Sequence, residues 1–372
     1  MNIEYKNMKK IKIYAEHLEE TALEQFNSAM EQDYSIQGAL MPDAHTGYTL
    51  PIGAVVATDN VVVPAWVGYD IGCGMCALPT SFSVNDVRKK ATEIFAEIYQ
   101  RIPVGFNVHN KPIETHMDPS NLSPLGRIAF DARKGFRGLG TLGGGNHFIE
   151  IGVESTGRVW IIIHSGSRGV GHGIATEYIK LAHPEGKAKE GHYSFGADSD
   201  KGLSYINDLN WALEYALENR RHMMSVVENI LGDCCEGDAD WRNLINRNHN
   251  HAEYAHGMWI HRKGATHAED GMWGVIPGNM RDGSFIVKGQ GNPDSLWSSS
   301  HGAGRVMGRK QAKRELSVED FTTTMSGVTA QVGEGTLDEA PDAYKNIYEV
   351  MELQTDLVDI ITHVKPIINI KG

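Results

Sequence analysis

"GAVVATDNVVVPAWVGYDIGCGMC", residues 53–76, decides how the rest of the chain is read. Apolar, β-branched segments flank Asp59-Asn60, so residues 53–70 read as two strands and a turn. The run ends in Asp70-Ile-Gly-Cys73, which overlaps Cys73-Gly-Met-Cys76. Cys73-x-x-Cys76 has the spacing of a redox or zinc pair. A redox pair needs a thioredoxin-like βαβ setting, which the strands before Gly68 do not supply. A four-cysteine zinc site needs a second spaced pair, but Cys234 and Cys235 are adjacent and do not easily share one tetrahedral ion. Asp70 with Cys73 is the alternative: a thiolate can bridge two cations and a nearby carboxylate can close on one. The residues alone leave a metal site, a redox pair and plain buried thiols all open.

On either side of this stretch the periodicities alternate between strand and helix. Residues 10–14 read as a strand and 16–31 as a helix with Leu18, Ala22, Phe26 and Met30 on one face. Residues 86–100 read as a helix with Asp86 at its N-cap. A glycine loop runs into a strand over 140–151, and a buried strand over 159–163 ends in the polar glycine loop "HSGSRGVGH". Residues 205–231 form the longest expected helix, with Leu209, Leu213, Leu217, Met224 and Leu231 inward. Residues 258–267, 284–289 and the C-terminal stretch read as strands, and 306–315 as the start of a basic helix. The pattern predicts an α+β fold with mixed sheets and surrounding helices, in one large domain spanning 1–372.

The chain has 372 residues, 41% of them hydrophobic, enough for a large core. Its formal net charge of −12 repels nucleic acid globally, so such a partner needs a local basic patch. Four cysteines fit a cytosolic thiol protein better than a disulfide framework. No apolar run is long enough to span a membrane, and the N-terminus "MNIEYKNMKK" lacks a leader's apolar core. The expectation is a cytoplasmic protein without membrane contact.

Seventeen histidines is a high count, and His147, His164, His249 and His301 stand at strand-to-loop transitions beside glycines or polar residues. Such loop ends commonly hold metals and phosphates. In "SSSHGAGR" small residues let backbone N–H groups approach an anion, and Arg305 can fork onto a phosphate. His301 there could attack phosphorus and carry it as a phosphoramidate. Arg168 in "HSGSRG" offers a second cradle. Arg262 and Lys263 follow in "HRKGATH", and Arg305, Arg309, Lys310, Lys313 and Arg314 form the densest basic cluster.

"MPDAHTGYTLPIG", "GYDIGCG", "GGGNHFIE", "HSGSRGVGH", "HRKGAT", "IPGNM", "SHGAGR", "DEAPDAY" and the terminal "KG" occur in the order seen in RtcB-type RNA ligases. The resemblance covers roughly residues 39–372. It implies a GTP- and manganese-dependent ligase that joins RNA 3′-phosphate or 2′,3′-cyclic phosphate ends to 5′-hydroxyl ends through a guanylylated histidine. By resemblance, Asp70, Cys73 and His147 hold one Mn²⁺, while Cys73, His164 and His249 hold the second. His301 is then the nucleophile, with Asp43 of "PDAH" the candidate to orient its ring. The nucleotide contacts carried over are Asn146, His147, Phe148, Ile149, Glu150, His249, Asn250, Pro277, Gly278, Asn279, Met280, Ser284, Gly302, Ala303, Gly304 and Lys371. Arg168, Arg305 and Arg309 are the candidates for RNA phosphates. Glu150 can accept from the N1/N2 edge of guanine and Lys371 can donate to O6, a pattern adenine inverts. The resemblance thus implies Asp70 with Cys73 rather than a Cys73-x-x-Cys76 pair, leaving Cys76 to packing. Asn279 and Ser300 depart from the serine and cysteine frequent in the family, and the chain is shorter than many relatives. A two-metal phosphoesterase using the same ligands is the alternative enzyme, and a non-catalytic RNA-binding relative the alternative class. No protein partner is implied.

Overall fold

Two mixed sheets and the helices laid on them give an α+β architecture. The computed structural model describes residues 9–372. Residues 1–8, part of the stretch read as lacking a leader's apolar core, lie outside the described residues. The larger sheet runs, in spatial order, Trp273–Pro277, Ser284–Gly289, Val358–Lys371, Phe148–Val153, Val159–Ser165, Gly74–Pro79 and Ile245–Asn248. Thr329–Ala330 adds a short parallel pairing to Val358–Lys371. The sheet curls until its first strand meets Gly74–Pro79 and Ile245–Asn248.

Strand alternation divides this sheet into two faces. Met75, Phe148, Trp160, Ile162, Val275, Ile286 and Val364 fill the concave side. Cys76, Ile149, Ile151, Ile161 and Ile163 face outward, onto Met223, Met224, Val227 and Leu231. Those four belong to the long helix Asp200–Cys234, which Ser199 caps by accepting from the Gly202 N–H. Each such buried side chain stabilises by roughly 1.5–3 kcal/mol. Leu209 is buried as expected, whereas Leu213 and Leu217 are only half-buried. The smaller sheet runs Lys10–Ile13, Ser35–His45, Ile52–Thr58, Met258–Lys263 and Asn250–Ala255.

Four local expectations differ from the structure. The strand read over 258–267 breaks at Gly264, whose φ is +66°, into Met258–Lys263 and Ala265–His267, which belong to different sheets. After Ile52–Thr58 the second strand is only Val61–Val62, and Pro64–Val67 is a helical turn. Pro64 at its start explains this, since its fixed φ suits a first helical turn. Ser83, not Asp86, caps the next helix, and the pattern breaks at Lys90 into Val84–Lys89 and Ala91–Arg101. The expected polar loop after Ser165 is already helical from Arg168 to Ala182. Packing on the helix Pro124–Ala132 outweighs the poor helix propensity of its glycines. Among the described residues, no helix is long and apolar enough to cross a membrane.

Candidate active site

Antiparallel pairing brings chain-distant residues to one mouth of the curled sheet. Phe148 pairs with His164, Gly74 with both Ser165 and Asn248, and Lys371 with Phe148. The turn Asp70–Cys73 precedes Gly74 and is tied to the His249 segment. His249 N–H donates to the Cys73 carbonyl at 2.7 Å, and Gly72 N–H to the Asn250 carbonyl at 2.9 Å. The Asn250 side chain extends the tie, donating to the Asp70 carbonyl at 3.0 Å and accepting from Gly264 N–H at 2.7 Å.

At this mouth five donors converge. Cys73 Sγ lies 3.4 Å from His147 Nε2 and 3.2 Å from His164 Nε2. His147 Nε2 is 3.2 Å from Asp70 Oδ2, and His164 Nε2 is 3.3 Å from His249 Nε2. Behind them, His147 Nδ1 donates to the Leu142 carbonyl at 3.0 Å and His164 Nδ1 to the Asn146 carbonyl at 3.1 Å. Backbone acceptors therefore settle the tautomer and aim each Nε2 lone pair inward, the arrangement metal-binding histidines use. Burial holds His164 and His249 well below the usual imidazole range, so both stay neutral and ligand-competent. Burial and the neighbouring Asp70 charge push the Cys73 thiol well up; a cation would replace its proton. Burial raises Asp70, but its contact with His147 and the Arg168 charge outweigh that and bring it to about 2. These donors fit divalent cations. Cys76 does not join them: it is buried on the opposite face of the strand, where burial raises its thiol to about 12.

A second group of facing donors, His251, Glu253 and His267, is already served by a cation. The buried Arg262 guanidinium pairs with Glu253 and reaches His251 Nε2 at 3.2 Å.

His301 stands beside the cluster, its ring 4.9 Å from that of His249. Its Nδ1 is 2.6 Å from Asp43 Oδ2, off the line of an aligned hydrogen bond. The same oxygen accepts the backbone N–H groups of His301 and Gly302 at 3.1 and 3.2 Å. Asp43 is fully buried; burial raises its carboxyl, yet His301, His45 and Lys345 hold it below the usual range. Gly304 has φ +75°, and a Cβ there would collide with the Asp43 backbone, so the loop can close on Asp43 only with glycine.

Two cavities meet at His301. The narrow one, about 280 Å³, is lined by Phe148, Glu150, His164, Pro277–Met280, Gly302–Gly304 and Lys371, among others. The wide cleft, about 710 Å³, is lined by Asp70, Cys73, His249, Asn250 and Lys263. Asn146, His301, Arg305 and Arg309 line both. The structure thus parts the expected nucleotide contacts. Ile149 faces the outer core, because alternation turns it away from Phe148 and Glu150, and His249 and Asn250 line the wide cleft. Ser284 is buried with Asn369 beside Glu150.

In the narrow cavity Glu150 Oε1 lacks a hydrogen-bond partner, and burial raises its carboxyl to about 8 against the pull of Ser284, Asn369 and Lys371. Lys371 is paired with Glu339 at 2.9 Å. Glu339 also meets Arg305 at 3.1 Å and Arg309 at 2.6 Å. Burial opposes its charge, but Lys371, Arg309 and the other donors hold it at about 2. Arg168 Nε and Nη2 are already used on Thr141 Oγ1 and the Gly105 carbonyl, both at 2.9 Å. The departing residues have local roles. Asn279 Oδ1 accepts from Arg281 and Asp282 N–H at 3.0 and 2.9 Å, and Ser300 is fully buried.

Sequence reading missed Glu339 and Arg220. The first sits in a quoted motif but shows its function only through its cationic partners. Arg220 lies on the buried side of the long helix, where only apolar residues were expected. Fully buried, it donates to the Gly72 and Ser165 carbonyls at 2.9 and 2.7 Å and to Asn246 and Asn248 Oδ1 at 2.7 Å. It braces both the Asp70–Cys73 turn and the end of the strand Val159–Ser165, which carries His164. Arg220→Met leaves these acceptors unpaired and should cost about 3 kcal/mol or more, read as a lower denaturation midpoint. A midpoint equal to the parent's would mean the brace is dispensable.

A family model described as tRNA-splicing ligase RtcB matches residues 26–127 and 126–372. The chain is 35% identical over 366 residues to the RNA-splicing ligase RtcB of Escherichia coli strain K12, covering 90% of each. It is 28% identical over 418 residues to the tRNA-splicing ligase RtcB of Nanoarchaeum equitans, covering 90% of this chain and 87% of that protein. With the protein of that same name from Aeropyrum pernix it shares 27% identity over 442 residues, covering 95% and 92%.

Proposed function

Because this chain belongs to the RtcB family of RNA-splicing ligases, we propose that it seals RNA 3′-phosphate ends to 5′-hydroxyl ends with GTP as co-substrate and two Mn²⁺ ions. At a 2′,3′-cyclic phosphate end, water first attacks phosphorus and the 2′-O–P bond breaks, leaving a 2′-hydroxyl and the 3′-phosphate. The observation that carries the proposal is the placing of His301 where the two cavities meet, with Asp43 at Nδ1. That leaves Nε2 as the nucleophilic nitrogen. Nε2 bonds to the α-phosphorus of GTP, the bond to the bridging oxygen breaks and pyrophosphate leaves. The ring keeps its Nδ1 proton, and the Asp43 carboxylate offsets the positive charge of the adduct. An oxygen of the RNA 3′-phosphate then attacks the same phosphorus, breaking the Nε2–P bond and restoring neutral His301. Finally the 5′-hydroxyl attacks the 3′-phosphorus, GMP leaves and the hydroxyl proton goes to solvent.

Asp70, Cys73 and His147 would hold one ion, and Cys73, His164 and His249 the other. When bound, the ions would neutralise the triphosphate charge and align it for in-line displacement. The donor set does not itself select manganese, since zinc binds such ligands more tightly. The test is α-labelled GTP: a ligase leaves acid-labile, alkali-stable label on the protein, whereas a two-metal phosphoesterase leaves none.

The guanine-edge assignment gives a pH dependence. Glu150 must ionise to accept from N1–H and N2–H, and its carboxyl stands at about 8. GTP affinity should therefore rise from pH 6 to pH 8, by roughly fiftyfold, as the proton is lost. The fold's stability moves the other way. The raised carboxyl contributes fully below the unfolded value, and that contribution is lost as pH climbs through about 8. Glu150→Gln should flatten the binding profile and weaken GTP by about 1–3 kcal/mol relative to ATP. Equilibrium binding across that range decides it; an unchanged slope in the glutamine variant removes Glu150 from the guanine edge.

A further inference from the structure

We infer that Tyr48 forms a nucleobase-stacking subsite for an RNA end in the wide cleft, an assignment that rests on the ligase reading above. Tyr48 is 80% exposed, yet it lines the same cleft as Asp70, Cys73, His249 and His301. Its backbone is pinned. Gln25 Nε2 donates to the Gly47 and Tyr48 carbonyls at 2.9 and 2.8 Å, and Gln25 Oε1 accepts from Gly47 N–H at 3.0 Å. Thr46 N–H donates to Glu19 at 3.1 Å and Thr49 N–H to Glu190 at 3.3 Å. At Gly47 a Cβ would collide with the Leu50 carbonyl, so the tight turn accepts only glycine. A ring with two torsions on a turn this well held loses little freedom when a flat partner settles on it.

The charges of the cleft favour stacking as the source of affinity. Lys263, Arg305 and Arg309 line it, but each already faces a carboxylate: Lys263 lies 3.6 Å from Glu190, and Arg305 and Arg309 lie 3.1 and 2.6 Å from Glu339. Asp70 and Glu19 add negative charge to the lining. Phosphate attraction is therefore muted on the protein side, while an RNA terminus must still be held with its 3′-phosphate at His301. The other tyrosine of the cleft, Tyr69, is taken by His172, with ring centroids 5.1 Å apart. Among the described residues Tyr48 has no such ring partner. Stacking on one aromatic face tolerates any base, as a ligase acting on broken ends requires, and is worth roughly tenfold to a hundredfold in affinity.

The test compares full-length Tyr48→Ala and Tyr48→Phe with Tyr254→Ala, a tyrosine 64% exposed on the strand Asn250–Ala255. Each receives α-labelled GTP alone, and then an RNA with a 3′-phosphate together with a 5′-hydroxyl partner. The expected result is parental GMP labelling in all three. Tyr48→Ala should raise KM for RNA by roughly tenfold to a hundredfold with kcat little changed. Tyr48→Phe and Tyr254→Ala should behave as the parent, and a terminal 5-iodouridine should photocrosslink to Tyr48. An unchanged KM in Tyr48→Ala, or labelling that falls along with joining, overturns the stacking subsite. Absence of GMP labelling in the parent overturns instead the ligase reading beneath it.

Discussion

His301→Ala is expected to retain its metals and bind GTP, yet form no labelled GMP adduct and join no 3′-phosphate ends. Joining should fall by roughly three orders of magnitude or more, because the variant loses the only nucleophile proposed for the first step. The fold should survive. His301 is partly exposed at a cavity junction, and Asp43 keeps its bond to the Gly302 N–H at 3.2 Å. Removing the ring also removes a partner that helps hold the buried Asp43 carboxyl below the usual range, so some stability should be lost along with activity. A chemically guanylylated RNA 3′-end bypasses the histidine step, and the variant should still seal it. Two outcomes would sink the assignment. One is label surviving in His301→Ala, which makes another residue the nucleophile. The other is failure to seal the pre-activated end despite full metal content, which gives His301 a role in the last step.

Cys73→Ala is expected to lose both metal ions, whereas Cys76→Ala loses neither. Cys73 Sγ is the atom that faces both His147 and His164, at 3.4 and 3.2 Å, so one deletion breaks both ligand sets. Asp70 with His147, and His164 with His249, would each be left as a pair, too few donors to hold an ion tightly. Cys76→Ala instead removes a fully buried sulfur from the outer core, a cavity penalty of about 1 kcal/mol with the site intact. Metal content of the purified variants, by elemental analysis, separates the two effects. Equal loss in both would return Cys73 and Cys76 to a shared site.

The motif-bearing part of the site was legible in the sequence. Asp70, Cys73, His147, His164 and His249 do converge, and Pro277–Met280 and Gly302–Gly304 do line one cavity. Strand and helix periods are short-range properties, so the α+β class, the long helix and most strands follow from local pattern. Short glycine-flanked motifs are equally local, which is why Cys73 and His301 stood out. Capping is finer, decided within one turn, and there Ser83 displaced Asp86.

Local sequence pattern therefore carries the class of fold, the residue types available for metal and phosphorus chemistry, and the order in which they come. Tertiary packing set the pairings. It chose which carboxylate meets Lys371, Arg305 and Arg309, which atoms satisfy the buried Arg220, and which face of its strand Ile149 takes. It also turned Tyr48 into open water on a pinned turn while sealing Asp43 beneath His301. The physical reason is that these partners lie tens to hundreds of residues apart. A buried charge can be stabilised by any suitably placed counter-charge or carbonyl, and placement comes from sheet register and helix packing, which no local pattern encodes.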